Sequence, residues 1–304
     1  RSIDVTVVAT AVLLGCMQVQ WYFYDGLSSF AGLVPWTLAL TLLASLGAAR
    51  ILITGDLRWL LLVVVAWAWA VTAYEVSLIM LPGILAALVL SYPGRSRRRW
   101  MWAAGPLVLI ALVQVVVTFA LRSSTAGVAT QYQIDLGGPV AATFLKQFSA
   151  ALPSAQHLFG VLRGELFTTT TVLLVAGLAI PTWVAWRWRK PFALAHVPRR
   201  RAWALLLAGA WAWIAPSALA AITVRWQTEL VFGRGYIYLA YEYVGVALVA
   251  AGGATLLARP SRGRVARVCL AVAFALALIG IALAISSNMA YAARFVPGPQ
   301  LGIT

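Results

Sequence analysis

The sequence predicts an all-α membrane protein that crosses the bilayer many times. Of its 304 residues, 62% are hydrophobic and 10% are charged, whereas soluble domains average roughly 45–50% and about 25%. The apolar runs are long and continuous, which favours helices over the alternating strands of about ten residues that build a β-barrel. A soluble globular fold is therefore excluded, and we expect a single transmembrane domain over residues 1–304.

Nine apolar runs approach the length of about 20 residues that a helix needs to cross the hydrocarbon core. In chain order they are 5–24, 30–49, 57–73, 76–92, 101–121, 169–186, 202–222, 236–257 and 268–286. Cys16 and Cys269 both lie within such runs, so neither a disulfide framework nor a thiolate metal site is predicted. The sequence therefore predicts about nine spans.

The net charge of +15 comes from short clusters of basic residues between the apolar runs. When the connections are assigned alternately to two sides, 17 of the 23 Lys and Arg residues fall on one side. The positive-inside rule places that side, and the start of the chain, in the cytoplasm and the end of the chain outside. Clusters such as 95–99 and 199–201 carry no nucleic-acid-binding motif, so we expect membrane lipids as partners and no nucleic acid.

The long outer connection, residues 122–168, has an amphipathic pattern. Phe144 and Phe148 recur at helical spacing, with Gln147 on the opposite face. A proline separates this pattern from a second one formed by leucines. We therefore expect two short helices at about 140–167 that lie on the membrane surface.

Acidic residues concentrate at or near the outer side. The six are Asp25, Glu75, Asp135, Glu165, Glu229 and Glu242. Glu75 lies at the outer start of a span and is either a functional carboxylate or a structural hydrogen-bonding group. Glu242 lies deeper in its span than Glu75, so it has the greater need of a hydrogen-bond partner. Asp25 is expected to cap a helix, the alternative being an acid that faces a cavity. Asp135 precedes a Gly-Gly turn, either as a site acid or as a solvated loop carboxylate.

The connection at 225–236 combines residue types suited to an anionic lipid head group. Arg225 and Arg234 can bind phosphate in a bidentate way, and the rings of Trp226 and Tyr236 can stack on sugars. The alternative is that the arginines anchor neighbouring lipids and that the aromatic residues form an interfacial belt.

Common catalytic motifs are absent from the sequence. His157 has no other ligand type at a suitable spacing, so we predict no metal ligand. There is no P-loop, dinucleotide fingerprint, GxSxG or HExxH motif. Nucleotide-driven transport and the common hydrolase mechanisms therefore lack support.

Three segments together resemble the GT-C superfamily of integral membrane glycosyltransferases, in particular bacterial members of actinobacterial type. They are Tyr74-Glu75 opening a span that runs into Leu81-Pro82, Gln147 to Pro153, and Gly233-Arg234-Gly235-Tyr236. The resemblance implies a multi-pass protein of the bacterial cytoplasmic (inner) membrane. It further implies that the protein takes a polyprenyl-phosphate-linked sugar as donor and transfers it, on the outer face, to a glycan, lipid or protein acceptor during cell-envelope assembly.

The resemblance also implies roles for individual residues. A carboxylate acts as a base toward the acceptor, and cationic groups stabilise the departing phosphate. The candidate catalytic residues are Glu75, Asp135 and Glu229, and the candidate substrate- and phosphate-binding residues are Arg225, Arg234, Tyr236 and Trp226. In some members a divalent cation held by Asp or Glu assists the departure of the phosphate. We expect Glu75, Arg225, Glu229 and Arg234 to line one outer cleft.

The chain departs from the GT-C pattern in one respect. The superfamily's catalytic acid usually lies in a long first outer loop, whereas here the first outer connection is a few residues around Asp25. Either both ends of the chain are truncated and that loop lies upstream of Arg1, or the chain is a non-catalytic relative, or Asp135 or Asp25 takes the role. The alternatives to a transferase are a transporter or flippase of lipid-linked saccharide, a non-catalytic envelope-assembly module, and an outer-face glycan polymerase or ligase.

Overall fold

The structure is a computed structural model that describes most of the central part of the chain. The described residues are 9–10, 12–14, 16–18, 33–124, 133–153, 155–159, 176, 197–236, 238–257, 272, 275–276 and 278–289. All the regular elements in these ranges are helices, which confirms the predicted all-α class for this part of the chain. The one isolated β-bridge found there pairs Ile134 with Thr223.

The helices are numbered in chain order. They are α1 (Leu33–Thr54), α2 (Trp59–Ala73), α3 (Val76–Ile79), α4 (Leu81–Ser91), α5 (Arg97–Ser124), α6 (Val140–Ala150), α7 (Ala155–Leu158), α8 (Arg199–Ala221), α9 (Val224–Glu229), α10 (Leu239–Leu257) and α11 (Leu278–Met289).

Four helices, α1, α5, α8 and α10, are long and apolar enough to cross a membrane. Three shorter apolar stretches, α2, the pair α3 and α4, and α11, lie among them. These features are those of a membrane protein. The expected spans at 5–24 and 169–186 lie largely outside the described residues, so the count of nine spans stays a prediction.

The expected span at 76–92 is broken into two helices. The two helices meet at Met80, whose backbone angles stay in the α region (φ −75°, ψ −21°), and Pro82 lies in the first turn of α4. Proline suits that position because it has no N–H to donate there. The 11 residues of α4 extend over only about 16 Å.

One group of helices packs around Trp67 of α2. This side chain is fully buried among α1, α4 and α5. Its indole Nε1 donates a 2.8 Å hydrogen bond to the carbonyl of Leu107 in α5. An indole is therefore buried here without leaving its polar atom unsatisfied. Apart from this contact α5 is largely exposed, as expected of a helix that faces lipid.

The most extensive helix contact joins α8 and α10. A Cβ atom added at Gly245 would lie 2.6 Å from the backbone nitrogen of Trp213, and one at Gly209 would lie 2.7 Å from the carbonyl oxygen of Gly245. The two backbones therefore approach each other through glycine, as is common for helices packed in membranes.

The helices share a basic end, where α1 and α4 finish and where α2, α5 and α8 begin. The guanidinium of Arg99 donates hydrogen bonds of 3.3 and 3.2 Å to the carbonyls of Leu52 and Ile53, which terminate α1. The following turn uses Gly55 at φ +77°, with its Cα facing the same guanidinium. The opposite end holds the end of α2, residues 133–139, α9 and residues 230–236.

We expect Gly245→Ala to lower stability by about 1–3 kcal/mol, because the new methyl group would overlap the α8 backbone. Gly253→Ala, on the same helix, is the control, since nothing lies within 4 Å of its added Cβ. Thermal unfolding of the purified protein in detergent measures the difference. Equal melting temperatures for the two variants would show that α8 and α10 are not in close contact.

Candidate functional site

A fully buried carboxyl group lies in the first turn of α10. Glu242 is 0% exposed. Its Oε1 accepts a 2.8 Å hydrogen bond from the hydroxyl of Ser217 in α8, and its Oε2 accepts one of 3.1 Å from the amide of Gln147 in α6. The partner that the depth of Glu242 requires is thus supplied by two neutral side chains from two other helices.

Gln147 also connects this carboxyl group to the surface of the opposite end. Its Oε1 accepts a 2.8 Å hydrogen bond from the backbone N–H of Tyr236. The Gln147 side chain is fully buried. The physical reason is that its face of α6 packs against α8 and α10, where Glu242 needs a donor.

Three of the candidate residues lie on the short helix α9. The Nε atom of Arg225 is 3.0 Å from Oε1 of Glu229, one helical turn away. The guanidinium of Arg225 lies 4.9 Å from the ring centre of Trp226, within cation–π distance. Trp226 itself is 2% exposed. The three side chains thus hold one another in place.

Arg234 and Tyr236 complete this cluster. The rings of Trp226 and Tyr236 have centroids 3.6 Å apart. Together with Glu229 and Gly235 they line a cavity of about 50 Å³. Oε2 of Glu229 and Nε of Arg234 are buried there and have no hydrogen-bond partner among the described residues. The cavity has room for a water molecule or a single ligand oxygen, and an unsatisfied guanidinium N–H is a donor for such an oxygen.

Asp135 lies beside this cluster, but its carboxylate is engaged locally. Residues 133–135 pair with 222–224, where the backbone N–H of Asp135 donates a 2.8 Å hydrogen bond to the carbonyl of Ile222. The Oδ1 of Asp135 accepts a 2.8 Å hydrogen bond from the N–H of Gly137. The Gly-Gly turn therefore has the geometry of an Asx turn, which favours the structural role for Asp135.

Glu75 lines a second, larger cavity of about 450 Å³. Its polar lining comes from three segments of the chain and comprises Thr72, Tyr74, Glu75, Gln114, Thr118 and Tyr238. The Tyr74 hydroxyl is buried without a hydrogen-bond partner among the described residues. A tyrosine hydroxyl is protonated at neutral pH, and burial raises the pKa of Tyr74 further, so this hydroxyl can donate a hydrogen bond.

Helix lengths place this cavity beside the last turns of α5, and the Glu75 side chain in it is exposed. The 15 residues of α2 extend over about 22 Å, which is less than the hydrocarbon thickness of about 30 Å. The 28 residues of α5 extend over about 42 Å. Gln114 and Thr118 therefore reach the cavity from within α5, which continues past Glu75 to Ser124.

The structure divides the expected outer cleft into two cavities. Glu229 and Arg234 line the smaller one and Glu75 the larger one. Tyrosine rings connect them, with Tyr236 and Tyr238 in an edge-on contact at 4.8 Å and Tyr238 and Tyr74 at 6.1 Å. Of the four tyrosines that the sequence suggests as an aromatic belt, Tyr236 and Tyr238 thus lie between the two candidate sites, whereas Tyr241 and Tyr243 are buried in other contacts.

Several residues of this region were not among the sequence-based candidates. Gln147, Ser217 and Gln227 are buried polar residues, and Gln227 donates a 2.7 Å hydrogen bond to the carbonyl of Asp135. In the sequence, each of them is a single amide or hydroxyl residue within an apolar pattern, and this is the signal by which they could have been found. Gly138 packs against Gln227 so closely that a Cβ atom would overlap it. Asp25 and the side chain of His157 lie outside the described residues.

Within the ranges that the structure describes, no three His, Cys, Asp or Glu side chains gather into a metal-binding group. No protein-family model, curated protein or solved structure matches the chain. The site therefore has to be interpreted from its own chemistry.

We expect Gln147→Leu to lower stability by about 1–3 kcal/mol, because a buried carboxyl group and the N–H of Tyr236 each lose a partner. Hydrogen–deuterium exchange should become faster in residues 230–236 than in the wild type. The neighbouring substitution Lys146→Leu removes no hydrogen bond found to Glu242 or Tyr236 and serves as the control. Equal exchange in the two variants would contradict this link.

Proposed function

We propose that the chain is a glycosyltransferase-like membrane protein that takes a polyprenyl-phosphate-linked sugar as donor on the outer face of the bacterial cytoplasmic membrane. The observation that supports this most is the Glu75 cavity, which combines a carboxylate with amide, hydroxyl and aromatic groups. Convergent polar groups in a cavity of this size are typical of small-molecule sites.

The sugar would occupy the larger cavity. Glu75, Gln114 and Thr118 offer acceptors and donors to sugar hydroxyl groups, and Tyr238 offers an aromatic face. The buried Tyr74 hydroxyl, which lacks a partner among the described residues, supplies a further donor. Binding a hydroxylated ligand would give the buried Tyr74 hydroxyl a hydrogen-bond partner.

The phosphate would lie toward Arg234, across Tyr236 and Tyr238. The buried Nε atom of Arg234 is suited to a phosphate oxygen, and the small cavity holds about one such atom. Arg225 and Glu229 form an ion pair whose charges offset each other, so Arg234 carries the net positive charge of this cluster. The donor would then lie across the boundary between the two cavities.

In the proposed reaction, an acceptor hydroxyl attacks the anomeric carbon of the bound sugar. The new bond joins the acceptor oxygen to that carbon, and the bond between the carbon and the phosphate oxygen breaks. Glu75 takes the hydroxyl proton as general base. The electron pair leaves with the polyprenyl phosphate, whose negative charge Arg234 stabilises. The acceptor is a glycan, lipid or protein of the cell envelope.

The proposal includes the predicted topology. The basic end, with Arg99 and residues 199–201, would face the cytoplasm. The two cavities at the opposite end would then face outward, and α6 and α7 would lie near the outer membrane surface. Nine spans would place the start of the chain in the cytoplasm and its end outside.

The test is transfer of radiolabelled sugar by the protein in membranes, with a panel of polyprenyl-phosphate monosaccharides as donors. Glu75→Gln should lower the transfer rate by about 10²–10⁴-fold, because the glutamine amide cannot take the acceptor proton. Asp56→Asn is the matched control, since Asp56 is exposed at the basic end and accepts a hydrogen bond from the N–H of Arg58 that asparagine can also accept. Equal rates for the two variants would contradict the role of Glu75.

Arg234→Ala should lower transfer by about 10–100-fold, the effect of losing a hydrogen bond between charged groups. Arg200→Ala, an exposed arginine at the basic end, is the control and should match the wild type. If no donor is transferred but a labelled lipid-linked saccharide crosses the bilayer in the presence of the protein, the transferase proposal is wrong and the flippase alternative replaces it.

A further inference from the structure

A large cavity lies between α1, α4, α8 and α10, away from the site described above. Its volume is about 530 Å³. Most of its lining is apolar and includes Leu38, Leu42, Ile84, Ala87, Ala208 and Val244. An apolar cavity of this kind favours a hydrocarbon occupant over water.

The cavity extends inward from the basic end. Along α8 it follows the chain from Arg201 to Ala212, a distance of about 16 Å. This is roughly half of the hydrocarbon thickness of about 30 Å, which is the depth of one membrane leaflet. The length therefore suits one acyl chain of a bilayer lipid and is much shorter than an extended polyprenyl chain.

The end of the cavity farthest from the basic end is closed by hydroxyl groups that already have hydrogen-bond partners. Tyr241 and Thr41 line this end. The hydroxyl of Tyr241 lies 3.0 Å from those of Ser77 and Thr37, and Thr41 donates a 2.8 Å hydrogen bond to the carbonyl of Thr37. A ligand therefore needs no polar group at this depth.

The wall formed by Trp211 is fixed in place. Its indole Nε1 donates a 2.5 Å hydrogen bond to the carbonyl of Ile79, next to the break between α3 and α4. The ring packs against Gly83, where an added Cβ atom would lie 2.8 Å from Cδ1 of the tryptophan. The cavity is thus formed in advance of binding, which lowers the entropic cost of binding.

The rim of the cavity, which lies at the basic end, is polar and cationic. Ser91, Tyr92 and Arg201 line it. Arg201 is exposed, and none of the hydrogen bonds or ion pairs found among the described residues involves its guanidinium. Arg199 and Arg200 precede it in the chain. An apolar channel with a cationic rim is complementary to an anionic amphiphile.

We propose that this cavity binds one acyl chain of an anionic phospholipid, with the lipid phosphate at Arg201. The lipid would lie in the leaflet at the basic end and fill the space between α1 and α8. This site is separate from the two cavities at the opposite end, and it does not depend on the proposed transferase activity.

Native mass spectrometry of the purified full chain tests this proposal, with phosphatidylglycerol and phosphatidylcholine of the same acyl chains as probes. The wild type should retain one phosphatidylglycerol molecule at concentrations where phosphatidylcholine is lost. Ala87→Phe should weaken binding by roughly tenfold or more, since displacing even two methylene groups has that effect. Ala86→Phe is the matched control, because Ala86 is also half-buried on α4 but does not line the cavity.

Arg201→Gln should lower the preference for phosphatidylglycerol by about fivefold, the effect of one cation near a lipid phosphate. Arg200→Gln, which does not line the cavity, should change it less. If the melting temperature shows that Ala87→Phe does not fold, a second variant that fills the cavity, Ala208→Phe, takes its place. Leu207→Phe is the control for this second variant.

Equal binding of the two lipids, or binding that neither filling variant weakens relative to its control, would overturn the proposal. Displacement of phosphatidylglycerol by an equimolar amount of polyprenyl phosphate would also overturn it, since the cavity would then prefer a different lipid. Sugar transfer is a separate measurement, so its failure leaves these binding results unaffected.

Discussion

The burial of Glu242 among neutral hydrogen-bonding groups is the constraint on which the arrangement of the opposite end depends. A carboxyl group at 0% exposure within an apolar helix requires polar partners, and Ser217 and Gln147 supply them from α8 and α6. Gln147 uses its remaining oxygen to hold the N–H of Tyr236. The ring of Tyr236 then contacts Trp226 on one side and Tyr238 on the other. A single buried group thus positions the residues between both candidate cavities.

Close helix packing makes this hydrogen-bond network possible. Because glycines let the backbones of α8 and α10 touch, the hydroxyl of Ser217 reaches the carboxyl of Glu242 at 2.8 Å. The stacking of Phe148 on Trp213, with centroids 4.1 Å apart, and the hydrogen bond from that indole to the carbonyl of Phe148 hold α6 against α8. These contacts between α6 and α8 therefore hold Gln147 next to the carboxyl group.

Local sequence patterns predicted those features of the structure that depend on residues close together in the chain. Apolar runs located the helices, and the segment at 225–236 identified a cluster whose members are close in the chain. The rest depends on long-range contacts. Gln147 and Glu242 are 95 residues apart, and the pairing of Asp135 with Ile222 joins two connections that share no pattern. The separation of Glu75 from Arg234 follows from the position of Tyr238 between them, which hydropathy does not encode.

The two ends of the molecule offer different chemistry. The basic end combines exposed arginines with an acyl-sized cavity, whereas the opposite end combines carboxylate and aromatic groups with the buried Nε atom of Arg234. A cryo-EM structure with a bound polyprenyl-phosphate sugar tests the central claim most directly. The account predicts sugar density beside Glu75 and phosphate density at Arg234. Density for the sugar at the basic end, or for a phosphate remote from Arg234, would contradict it.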